Sequence, residues 1–85
     1  MMYAVELKSV GNIDHRENPN APLPGVPDQM MVCTSIEDCQ QCVEEYIEEY
    51  DIGAGNWAGG NVYEYLGKLI GYISYNGRFW PKEGK

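Results

Sequence analysis

Between Glu17 and Gly67 the chain has neither lysine nor arginine, and in those 51 residues ten carboxylates stand without any fixed positive charge beside them in sequence. All six basic residues (Lys8, Arg16, Lys68, Arg78, Lys82 and Lys85) lie outside that stretch, so the net charge of −7 conceals a middle segment at −10 and two mildly positive ends. This excludes direct binding of nucleic acid or an anionic lipid surface, both of which draw their affinity from cationic contacts. No stretch approaches the ~18 apolar residues needed to cross a bilayer. The opening Met1-Met2-Tyr3-Ala4-Val5-Glu6 lacks the basic region and apolar run of a secretory signal, so a cytoplasmic location and no membrane partner are expected. Three cysteines are an odd number, which excludes a complete intramolecular disulfide set and fits reduced thiols. The single histidine, His15, has no serine or cysteine nucleophile placed relative to it by any motif.

Against these absences, 44% apolar residues and ten aromatics are too many for a disordered acidic tail. The 85 residues allow one domain, 1–85, with a modest core and marginal stability unless something doubles it; a homodimer is one solution.

Tyr3 to Val10 alternates as a first strand, ended by Gly11-Asn12. Four prolines between Pro19 and Pro27 exclude a helix or an interior strand, making residues 11–28 a long extended loop, either an ordered connection or a functional arm. Gln29 to Thr34 suits a second strand. Thr34 with Glu37 forms a capping-box signature, Ser35 being the alternative N-cap, before a helix from Ile36 to about Asp51. Its apolar positions Ile36, Cys39, Val43, Tyr46, Ile47 and Tyr50 recur every three or four residues, with glutamates on the other side. Gly53 to Gly60 supplies a glycine C-cap and a connector. The remainder reads as a three-stranded meander with turns at Gly67-Lys68 and Asn76-Gly77. Pairing about these turns places Val62, Leu66, Leu69, Ile73, Tyr75 and Trp80 on one face and Tyr63, Tyr65, Ile70, Tyr72 and Phe79 on the other. The fold class is α+β: one helix packed on an antiparallel sheet of four or five strands, in the order strand, loop, strand, helix and three strands.

Glu37, Asp38, Glu44, Glu45, Glu48, Glu49 and Asp51 fall within one predicted helix. At roughly 1.5 Å per residue they give about one negative charge per 3 Å of axis, close to the ~3.4 Å spacing along a DNA strand. Such a row can mimic phosphates and occupy a cleft of lysine and arginine. Glu44/Glu48 and Glu45/Glu49 are like-charge pairs one turn apart, a destabilising arrangement that an ordinary solvated face would relieve with interleaved lysine. Trp57 or the outward aromatics would serve as apolar anchors beside the acids.

Cys39-Gln40-Gln41-Cys42 is a C-x-x-C placed a turn inside the helix, where neighbouring acids raise rather than lower a thiolate pKa. With Cys33 and His15 it completes a Cys₃His set only in principle, because no second paired motif is present. Buried structural thiols are the simpler reading; no cofactor, metal or enzymatic activity is expected. The aromatics Tyr63, Tyr65, Tyr72 and Phe79 fit a core or protein interface better than base stacking in so acidic a chain.

The stretch from Gly59-Gly60-Asn61-Val62-Tyr63 through Ile73-Ser74-Tyr75-Asn76-Gly77-Arg78-Phe79-Trp80 resembles the ends of short orphan proteins carried by bacteriophages and plasmids. Size, acidity and an α+β build also look like those of anti-CRISPR and other anti-defence proteins, which share no common motif, so no functional residue carries over. What the resemblance implies is a phage or mobile-element inhibitor whose partner is a basic nucleic-acid-binding protein, such as a CRISPR effector. The alternatives are a small thiol protein using the C-x-x-C for metal or redox chemistry, and a structural homodimer.

Overall fold

The computed structural model describes residues 2–12, 16–18, 20–64 and 67–82. Five strands, β1 (Tyr3–Leu7), β2 (Gln29–Cys33), β3 (Asn61–Glu64), β4 (Leu69–Ile73) and β5 (Phe79–Pro81), and one helix, α1 (Ile36–Glu49), follow the expected α+β order. The strands form one antiparallel sheet, β2-β1-β3-β4-β5, with β2 and β5 at its edges. Among the described residues no helix is long and apolar enough to cross a membrane.

The core lies between the helix and one sheet face. Cys39, Val43 and Tyr46 on α1 meet Val5, Leu7, Cys33, Val62 and Ile73 on the sheet, all essentially inaccessible to water. Ile52 closes the same cluster, and Leu23 and Val26 of the proline-rich loop pack against it. The second half of that loop is therefore held on the helix side. Its Leu23 N–H donates to Ser9 Oγ at 3.1 Å, and its Pro27 carbonyl accepts from Tyr46 Oη at 2.8 Å. None of its described residues packs on the opposite face of the sheet.

Of the two N-cap candidates the second holds, and the C-terminal stop is shifted from expectation. Ser35, not Thr34, is the N-cap: its side chain accepts the Asp38 N–H at 3.0 Å, while the Asp38 carboxylate reaches back to the Thr34 N–H at 3.0 Å. The return bond thus reaches the residue before the N-cap and not the N-cap itself, a variant of the capping box. The helix ends at Glu49, and the left-handed residue that stops it is Asp51 (φ 52°), two positions before the expected Gly53. Asp51 N–H bonds the Glu48 carbonyl and Ile52 N–H the Ile47 carbonyl, a Schellman arrangement that buries Ile52. The connector beyond it contains a single 3₁₀ turn at Ala54–Asn56 that sequence reading did not reveal.

The final hairpin corrects the face assignment. The two-residue Asn76-Gly77 turn would pair Ile73 with Trp80. Instead Gly77 N–H bonds the Ser74 carbonyl and Ser74 N–H bonds the Arg78 carbonyl, leaving a three-residue loop with Gly77 at φ 86°. One added loop residue shifts the register by one, and each side chain of β5 changes face. Ile73 pairs with Phe79, which packs on the core, and Trp80 pairs with Tyr72 on the open face. Tyr75, expected on one strand face with Ile73, stands in the loop and donates to the Ile52 carbonyl at 2.9 Å. A bulge where β3 meets β4 brings Val62 opposite Gly71 but Tyr63 opposite Leu69, so Ile70 packs on the core and Leu69 leaves it. Tyr65 and Leu66 lie outside the described residues, as does His15.

Candidate functional site: an acidic helix between two grooves

The seven acids do not form one row. Glu37 is exposed in the first turn of α1, and Asp51 is exposed beyond its last. Asp38 is half-buried and engaged by the Thr34 N–H and hydroxyl. The four remaining glutamates separate into two i,i+4 pairs about 100° apart around the helix, because adjacent residues differ by that angle.

Glu44 and Glu48 border a groove of about 270 Å³ between α1 and the β4–β5 loop, whose other wall is Tyr75, Asn76 and Gly77. Gln40 Nε2 spans its end to the Gly77 carbonyl at 3.0 Å, fixing the loop against the helix. Glu45 and Glu49 border a second groove of about 120 Å³ on the opposite flank, between α1 and edge strand β2, with Gln29, Met31, Tyr46 and Tyr50 in its walls. The Glu49 carboxylate beside the Tyr50 hydroxyl raises that phenol's pKa. No basic residue stands in the last turn of α1. The negative ends of the peptide dipoles and the glutamates therefore act in the same direction there, strengthening attraction for a cation.

Trp57 is not presented with the acids. Its half-buried indole donates from Nε1 to the Ile73 carbonyl at 3.2 Å and lies 6.1 Å from the Tyr46 ring, joining the connector to the core. Exposed apolar side chains occur at several places, Met2, Met31 and Tyr75 among them, but one group lies together: Val32 at 60%, Met30 at 54%, Trp80 at 50% and Tyr72 at 40%. All four stand on the sheet face away from the helix, with Ala4 and Tyr63 between them through the Val32, Ala4 and Tyr63 pairings. The available sequence signal was the unbroken Met30-Met31-Val32 run, which places apolar side chains on both faces of a strand.

The cysteines are also arranged differently from the motif. The close sulfur pair is Cys33 and Cys42, 3.7 Å apart, rather than the two of the C-x-x-C. Burial pushes the Cys33 and Cys42 thiols up to about 12 and raises Cys39 as well. Thiols so protonated are poor nucleophiles at neutral pH. Among the described residues no group of three or more His, Cys, Asp or Glu side chains is disposed to hold a metal ion.

No protein-family model, no curated protein and no solved structure matches the chain.

Proposed function

We propose that this is a non-enzymatic interaction protein that engages a basic, nucleic-acid-binding protein through the carboxylates of α1. The observation that carries the reading is the solvent-exposed glutamate pairs on both flanks of one helix, with no lysine or arginine in the surrounding sequence. A partner with cationic groups would supply what the chain itself withholds, and charge complementarity would speed encounter and fix register. Phosphate mimicry is served by the two flanks together, which resemble two strands more than one. An inhibitor from a phage or mobile element, of the anti-defence kind, is the setting that suits such a surface. The protonated thiols work against the thiol alternative. The open apolar sheet face favours one second reading, a homodimer, which light scattering at high concentration would reveal as twice the monomer mass.

The test replaces Glu44, Glu45, Glu48 and Glu49 with glutamine, retaining side-chain length and helix propensity while relieving two like-charge pairs. A basic protein captured from bacterial lysate at low salt and released at high salt should surrender its bound DNA to the parent. The four-glutamine variant should displace that DNA at least about tenfold less effectively, with thermal stability unchanged or slightly raised. Equal displacement by both proteins at the same ionic strength would end the proposal.

A further inference from the structure

The sheet has an edge that nothing on the described chain completes. In β1 the Glu6 carbonyl accepts from Gly60, toward β3, so the backbone groups of Tyr3, Val5 and Leu7 point the other way, to Cys33, Met31 and Gln29 of β2. Alternation along β2 then turns the N–H and C=O of Met30 and Val32 outward, to the open edge. Beyond Val32 the edge closes, because the Thr34 N–H is taken by Asp38. Among the described residues no strand lies outside β2. The strand carries none of the devices that guard an edge: it has no proline, no lysine, no bulge and no charged side chain.

The side chains around this edge specify what would add to it. A strand placed about 4.8 Å outside β2 alternates its residues between the two sheet faces. On the helix side they would meet the groove whose rim carries Glu45 and Glu49. On the other side they would lie beside Met30 and Val32, both more than half exposed. We infer that β2 accepts an extended segment of a partner protein in which basic and apolar residues alternate, the basic ones directed to Glu45 and Glu49 and the apolar ones to Met30 and Val32. Main-chain hydrogen bonds would supply part of the affinity and the alternation would supply the selectivity. Charge chooses this occupant over a second copy of the chain. Antiparallel self-pairing about Met31 would place both helices on one face and bring two sets of Glu45 and Glu49 toward each other, in molecules already at −7. The inference rests on the acidic-helix reading, and it gives one flank of that helix a defined ligand.

The probe is a synthetic peptide alternating lysine and valine, compared with one of the same composition in which lysines and valines are grouped, and with one N-methylated at alternate residues in each phase. Binding is followed by fluorescence anisotropy, and amide exchange by NMR. The alternating peptide should slow exchange at the Met30 and Val32 amides. It should bind at least about tenfold more tightly than the grouped or methylated peptides. E45Q/E49Q should weaken it by a similar factor, while E44Q/E48Q, on the far flank, should change it by less than about threefold. Met30→Pro removes an outward donor without removing a bond to β1 and should abolish binding. The methylated peptides make the same test on the unaltered protein. Equal affinity for methylated and unmethylated peptides, or equal losses from the two glutamate pairs, would overturn the inference in favour of diffuse attraction. Protection of Met30 and Val32 that rises with protein concentration alone would overturn it in favour of a second copy. If Met30→Pro displaces DNA from the basic partner as the parent does while the four-glutamine variant does not, the edge inference falls and the acidic-helix reading stands.

Discussion

The two edges of the sheet follow opposite policies. At β5 the bonds from Ser74 and Lys82 to the chain direct Arg78, Trp80 and Lys82 inward to β4, so the outward positions are Phe79 and Pro81. Proline there has no N–H to offer, and Arg78 and Lys82 put positive charge at either end of a three-residue strand. At β2 both outward residues keep their donors and the flanking charge is entirely negative, from Glu45 and Glu49 of the overlying helix. One edge is closed to further strands and the other is open, and the difference lies in a few residues rather than in the architecture. Exposed apolar side chains occur at both edges, so hydrophobicity alone does not separate them.

The comparison is broken most forcefully by removing what anchors each edge. β5 is pinned by Phe79, whose ring occupies the space above Gly71, where a Cβ would stand 2.5 Å from it. Phe79→Ala should cost about 2 kcal/mol, less than for a fully buried ring, and should release β5, seen as accelerated exchange at the Lys82 amide. Met31→Ala, at a side chain 40% exposed, should cost less than about 1 kcal/mol and leave β2 paired. A larger loss at Met31 than at Phe79 in urea titrations would mean that β2, not β5, depends on its side chains.

Alkaline pH acts on the buried thiols where β2 meets α1. Cys33 ends β2, and burial holds its thiol at about 12 against an ordinary value of 9.0. The folded state thus favours the protonated thiol. That advantage is intact below pH 9 and is lost as pH rises from about 9 toward 12, at up to about 1.4 kcal/mol per pH unit for the Cys33 thiol. Thermal unfolding should show this decline, and Cys33→Ala should make it shallower. An identical slope in the variant would place the destabilising ionisation elsewhere.

How much of this was legible in the sequence depended on the kind of signal. The helix and its buried face were legible because six apolar residues keep a three-and-four spacing from Ile36 to Tyr50, and no tertiary contact was needed to read it. The strands were legible as elements but not as faces. Asn76-Gly77 carries the signal of a two-residue turn, yet the Asn76 side chain accepts from Arg78 N–H at 3.1 Å and from Ser74 Oγ, stabilising a longer loop. Those bonds are local, whereas the packing of the Phe79 ring over Gly71 that goes with this register is a tertiary contact. The acids were legible as a group, whereas their division between two grooves follows from where β2 and the Tyr75 loop lie beside the helix.

The smallest expected effects concern charge at the end of α1 and at the guarded edge. Asp51 holds a left-handed conformation, φ 52°, in which a Cβ is strained, and it places a negative charge just past a helix C-terminus that already carries Glu48 and Glu49. Asp51→Gly removes both penalties and should stabilise the fold by about 0.5–1 kcal/mol. At β5 the Arg78 guanidinium lies 5.2 Å from the Trp80 ring centroid, an exposed cation–π contact. Arg78→Ala should cost about 0.5 kcal/mol. The two signs differ: charge at the guarded edge supports the fold, while charge just past the helix C-terminus is held against it. Urea midpoints for both variants, measured at low and high salt, decide the matter. If Asp51→Gly fails to raise the midpoint, or Arg78→Ala raises it, the acidic helix end carries no stability cost and the contrast in charge between it and β5 loses its meaning.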